Sequence, residues 1–102
     1  MQILDEPLLQ LFRDTRRCEV CGKRGPVQPH HLLARGIGGG GRLDIRANLV
    51  AVCFGPGTKD CHGRIHQGII KRDTLWLIVA KREKRSVASL QEEVWRLRRT
   101  RR

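Results

Sequence analysis

The sequence predicts a small α+β domain reinforced by a bound metal. Three observations carry that expectation. Apolar residues recur at helical spacing near both ends of the chain, with short β-type runs between them. Two cysteine pairs frame the middle region, Cys18 with Cys21 and Cys53 with Cys61. A chain of 102 residues, 39% hydrophobic and 4% aromatic, has a modest core that a structural metal or crosslink would supplement.

Residues 3 to 16 carry Leu4, Leu8, Leu11 and Phe12, a helix-period stripe. Pro7 falls near enough to its start to be tolerated. Next, "RRCEVCGKRGPVQPHH" gives a Cys-x-x-Cys knuckle followed by Gly22 and Gly25, then a short segment leading into His30 and His31. Residues 36 to 41, "GIGGGG", are expected to form a loop. At "RANLVAVC", Leu49, Val50 and Val52 suggest a strand that pairs back toward Val27 and His31. "FGPGTKD" is another turn-rich loop, and "CHGRIHQGII" opens a helix despite the cost of its two glycines. "TLWLIVAK" reads as a strand bounded by Asp73.

The last segment, "SVASLQEEVWRLRRTRR", reads as a basic helix over about 86–100. Ser89 and Glu92 fit a capping box, while Ser86 offers a start one turn earlier. Leu90, Val94 and Leu97 form its stripe, extended back to Val87 if the earlier start holds. Neither an internal repeat nor a second domain is visible, so residues 1–102 are read as one domain.

The formal net charge is +11, from 21 Lys+Arg against 10 Asp+Glu. Such an excess attracts polyanions, and nucleic acid is the first expectation because each neutralised phosphate releases counterions. A solvated surface or a ribosome-associated piece is the plainer alternative. Arg96, Arg98, Arg99, Arg101 and Arg102 suit either a backbone-phosphate contact or the negative end of the last helix. The N-terminus "MQILDEPLLQLFRD" has acids where a secretory leader would be basic, and no apolar run is long enough to span a membrane. A cytoplasmic location is therefore expected, where thiols stay reduced and four cysteines serve better as metal ligands than as disulfides.

Cys18 and Cys21 have the spacing that lets both sulfurs reach one tetrahedral ion. Cys53 and Cys61 are the remaining candidates to close that site. Gly55 and Gly57 around Pro56 would allow the wide gap between them to fold back. The expected result is a structural four-thiolate zinc site; four unpaired thiols are the alternative.

The four histidines fall in two pairs. His62 and His66, four apart, would share one helix face and could share one cation. His30 and His31 are adjacent, so on a strand their side chains diverge. One can bind a metal and leave its neighbour for proton transfer.

The order "CEVC…HHLLARGIGGGG…ANLVAVC…CHGRIH" resembles the HNH endonuclease family, also called His-Me finger or ββα-metal nucleases. The loop "CFGPGTKDCHG" looks especially like that of small HNH endonucleases of tailed bacteriophages. The resemblance covers residues 18 to 68 and implies a ββα-metal core flanked by N- and C-terminal helices. It implies His31 as general base and His30 as the metal-binding residue before it. Asn48 matches the central N, whose side chain typically bonds the backbone near the base. His62 matches the final H, a metal ligand, and His66 sits at a more variable ligand position. Cys18, Cys21, Cys53 and Cys61 are implied as the structural zinc ligands.

The activity so implied is metal-dependent hydrolysis of DNA phosphodiester bonds, by nicking or double-strand cleavage, leaving 5′-phosphate and 3′-hydroxyl ends. One divalent cation (Mg, Mn, Ni, Co or Zn) would sit at the imidazoles, three of which favour the softer ions. Double-stranded DNA is the expected partner, bound mainly through its backbone, with Arg35 and Arg42 as candidate phosphate contacts. A monomer in the bacterial host cytoplasm, acting beside a phage terminase or portal in packaging, is the implied setting. A restriction or mobile-element nuclease is a variant of this reading, and a non-catalytic zinc-binding DNA module opposes it.

Overall fold

The computed structural model describes residues 2–33, 41–55 and 60–99. Helix α1 spans Glu6–Asp14, with the Asp5 carboxylate accepting the Leu8 N–H at 3.0 Å and Pro7 in the first turn. It starts later than the apolar stripe suggested. Leu4 therefore precedes the helix, Leu11 faces solvent, and Leu9 and Phe12 supply the buried face.

Strand β1 (Val27–His31) pairs antiparallel with β2 (Leu49–Cys53), Val27 opposite Cys53 and His31 opposite Leu49. This is the pairing expected from the sequence. Every residue of β2 is buried, which explains its unbroken apolar run. A single 3-10 turn, Arg46–Asn48, leads into it. Helix α2 (Cys61–His66) follows, opened by Asp60, whose side chain accepts the Gly63 N–H at 2.8 Å. Gly68 then turns the chain with φ +77°.

The segment expected as a strand, "TLWLIVAK", is helical instead. Helix α3 spans Arg72–Glu83 and buries Leu75, Trp76 and Val79, residues on one helical face against β2. Leu77 is 64% exposed. That apolar residue on the solvent side erases the helical period and leaves a run that looks β-like. Lys84 closes α3 in the left-handed conformation at φ 57°.

Helix α4 spans Val87–Arg99 and starts at the earlier of the two expected positions. The Ser86 hydroxyl accepts the Ser89 N–H at 3.0 Å, so the capping box of Ser89 and Glu92 does not form. Ser89 lies inside the helix, where its hydroxyl takes the Arg85 guanidinium. Leu90 and Val94 are the buried pair of α4, with Val87 and Leu97 packed at the edge. One hydrophobic cluster joins α1, β2, α3 and α4. Among the described residues no helix is long and apolar enough to cross a membrane.

Candidate metal centres and histidine cleft

The four cysteines converge. Their sulfurs all lie within 4.8 Å of one another, with Cys21 and Cys53 at 3.9 Å. A tetrahedral ion bonded at about 2.3 Å to four sulfurs needs sulfur separations of about 3.8 Å. The cluster therefore fits a zinc-like ion with little movement. Cys18, Cys53 and Cys61 are buried and Cys21 closes the exposed side.

Local backbone builds this pocket. The Cys18–Cys21 knuckle turns through Gly22, at φ +78°, whose N–H bonds the Cys18 carbonyl at 2.9 Å. Glu19 fastens the knuckle to β2: its N–H donates to the Ala51 carbonyl at 2.9 Å, and its carboxylate accepts the Ala51 N–H at 2.7 Å. Arg82 of α3 holds the same carboxylate at 2.9 Å. Burial pushes the Cys18 thiol up, but backbone N–H groups of Cys21, Cys53 and Val20 outweigh it and lower Cys18 to about 7. Burial first, and then the neighbouring thiols, push Cys61 up, and Cys53 rises as well. Gathering the cysteines without a cation therefore favours protons on two sulfurs, which an ion would displace.

On the strand, His30 and His31 diverge as expected. His30 turns toward α2, where its ring centroid lies 6.4 Å from that of His62 and 6.2 Å from that of His66. His62 and His66 share one face of α2, with centroids 4.4 Å and Nε2 atoms 3.0 Å apart. Two nitrogens about 2.1 Å from one ion at a right angle lie about 3.0 Å apart. Those two rings therefore fit adjacent corners of an octahedral site. The spacing is equally that of a hydrogen bond between them. Rings directly sharing an ion in this way have centroids about 4.5–5 Å apart, so His30 reaches the pair after an inward shift or through water. Burial first, then repulsion from His62, His66, His31 and Arg72, lowers His30 to about 4. At neutral pH it is an uncharged lone-pair donor.

His31 turns instead to Asp44, a residue the sequence reading passed over. Its Nε2 lies 2.7 Å from Oδ1 of Asp44, whose side chain is fully buried. Oδ2 of the same carboxylate accepts the Asp5 N–H and Arg42 Nη2, each at 2.9 Å. Burial raises the Asp44 carboxyl, but these donors overcome it and hold it below its usual value. An ionised carboxylate can only accept, so Nε2 of His31 carries the hydrogen, and in the neutral ring the lone pair falls on Nδ1. The chain before α1 completes the support: Ile3 pairs with the 42–44 segment through its N–H to Arg42 O (2.9 Å) and its carbonyl to Asp44 N–H (2.8 Å).

Asn48 is fully buried below the same region. Its Oδ1 accepts the Leu33 N–H at 2.8 Å, and its Nδ2 donates to the carbonyls of Leu33 (3.3 Å) and Leu43 (3.0 Å). One amide side chain thus ties the segment after His31 to the segment before Asp44. Arg42, expected at phosphate, is committed through Nη2 to Asp44. Arg35 and most of the glycine run lie outside the described residues.

A cleft of about 380 Å³ opens over this assembly, lined by His30, His31 and His66 together with Lys71, Arg72 and Leu75. The sequence signal for Asp44 was slight: a lone acid between Leu43 and Ile45, four residues before Asn48. For Lys71 and Arg72 there was none beyond their charge. Compared with family models, curated proteins and solved structures, the chain matches none, so the reading of this cleft rests on its own geometry.

Proposed function

We propose that this chain is a metal-dependent DNA endonuclease of the HNH, ββα-metal type. The observation that carries the reading is the cleft itself. It gathers the imidazoles of His30 and His66, with His62 beside them, next to a histidine whose tautomer is fixed by a buried, ionised Asp44. The chain order β1, β2, α2 supports the same reading, with His30 and His31 on the first element and His62 and His66 on the last. The excess of 21 Lys+Arg over 10 Asp+Glu supports a polyanionic substrate. A place beside a phage terminase rests on the resemblance alone.

In this reading His31 is the general base. Nδ1 takes a proton from the attacking water, and the Asp44 carboxylate at Nε2 offsets the charge the ring gains. Asn48 keeps the backbone beyond His31 from swinging, which preserves the direction of that lone pair. His30, uncharged at neutral pH, joins His62 and His66 as the seat of the divalent cation. When bound there, the cation supplies positive charge to the attacked phosphate and the leaving oxygen. The four cysteines, close enough to share one ion, would hold a structural zinc.

Nicking of supercoiled plasmid tests the reading, with wild type and His31→Ala compared after chelation and addition of Mg, Mn, Ni, Co or Zn. Metal-dependent nicking that falls by about 10²–10⁴-fold in the folded variant is the expected result. Equal nicking by both proteins overturns the assignment of the base. DNA binding without cleavage under every metal favours a second reading, a non-catalytic zinc module. The observation on that side is the stand-off of His30, 6.2 and 6.4 Å from the other two rings.

A further inference from the structure

Part of the lining of the histidine cleft comes from beyond the segment that resembles the nuclease family. Lys71 directly precedes α3 and Arg72 is its first residue, so the helix start fixes both at the rim. Both are exposed. Five other arginines are paired with acids: Arg13 with Glu6, Arg42 with Asp44, Arg46 with Glu83, Arg82 with Glu19 and Arg85 with Glu93. Lys71 and Arg72 have no acidic partner in an ion pair among the described residues, and they line the same cleft as His30, His31 and His66. Two unneutralised cations at one cleft give it a positive potential that attracts an anion.

We propose that Lys71 and Arg72 form a clamp for a backbone phosphate of the bound nucleic acid, the one neighbouring the phosphate over the histidines. The inference rests on the nuclease reading for its orientation. Arg72 presents a planar fork suited to two phosphate oxygens, and Lys71 adds a mobile point charge. Leu75, one turn into α3, lines the same cleft and is apolar and buried, so the polar groups that α3 offers there come from its start. A clamp of this kind fixes where along the strand the reacting phosphate sits and reads no base.

The test is fluorescence anisotropy with a labelled DNA duplex across a salt series, with all proteins carrying His31→Ala and no cation added beyond structural zinc. The parent is compared with Lys71→Ala/Arg72→Ala and with Lys23→Ala/Arg24→Ala, a pair of exposed cations on the cysteine knuckle. Thermal melts verify that all three are folded. We expect the clamp variant to bind about tenfold more weakly and its log K against log salt slope to flatten by about 1 to 2, with the knuckle pair nearly unchanged. Equal losses in both double variants, or no loss in the clamp variant, overturn the proposal, as does a parent that binds no duplex. Cleavage is scored separately with His31 restored. A clamp that fails while nicking persists sinks this inference alone, and a clamp that holds without nicking sinks only the nuclease reading.

Discussion

One short helix serves two clusters of metal-type side chains, and it treats them differently. Cys61, the first residue of α2, joins three other thiols whose sulfurs lie within 4.8 Å of one another. His66, the last residue of the same helix, meets His62 closely but leaves His30 at 6.2 Å. The thiol cluster is closed by buried strand and helix ends and by the knuckle that Glu19 ties to β2. The imidazole cluster opens on a cleft. A structural ion needs all its positions filled by protein, whereas a reacting site must leave room for water and phosphate. The difference teaches that α2 can be anchored at one end while its other end stays open to a cleft.

The strongest way to break this comparison is to remove the closed site. Cys61→Ser, or prolonged treatment with a tight chelator, is expected to unfold the chain or lower its melting temperature drastically. Structural zinc in small domains contributes about 10 kcal/mol or more of apparent binding energy. Circular dichroism melts with and without added zinc check this. A variant that melts like wild type would mean that the thiols hold no stabilising ion.

The open site should behave in the opposite way. His62→Ala combined with His66→Ala is expected to leave stability within about 0.5 kcal/mol, as for other partly exposed positions. The same variant should lose metal-dependent nicking by about 100-fold or more. Melting and plasmid assays on one preparation separate the two effects. A large loss of stability would show that the histidines are structural, and the contrast between the clusters would collapse.

A smaller effect sharpens the contrast through pH. His30 is lowered from 6.5 to about 4, so between those values the unfolded chain binds a proton that the folded chain refuses. Stability from this group is complete above about pH 6.5 and declines as pH falls toward 4. Asp44, held below its usual carboxyl value, adds stability that is lost only as pH falls further, through its own lowered value. Histidine-selective NMR should find one ring titrating near 4, and a midpoint near 6.5 for every ring would remove the claim that His30 is a ready neutral ligand.

Much of the closed site was legible in the sequence because local spacing determines it. The Cys-x-x-Cys knuckle and the helix opening at Cys61 follow from neighbours in the chain, and the strand β2 from its unbroken apolar run. What escaped depends on distant partners. Asp44 reaches His31 across thirteen positions of chain, and Arg82 reaches Glu19 across sixty-three. No periodicity encodes such pairs. Helix α3 was mistaken for a strand because Leu77 is an apolar residue left in solvent, so the burial pattern could not be read from hydrophobicity. Ser86 and Ser89 differ by one turn, and which of them caps α4 depends on the left-handed Lys84 that ends α3.

Asn48 joins Leu33 to Leu43 through a single side chain. The setting of His31 is thereby insulated from whatever chain connects those two points. Doubling the length of a loop costs only about 0.6 kcal/mol in closure entropy. The residues between Leu33 and Arg42 can thus be lengthened, shortened or exchanged for another sequence while His31 keeps its place against Asp44.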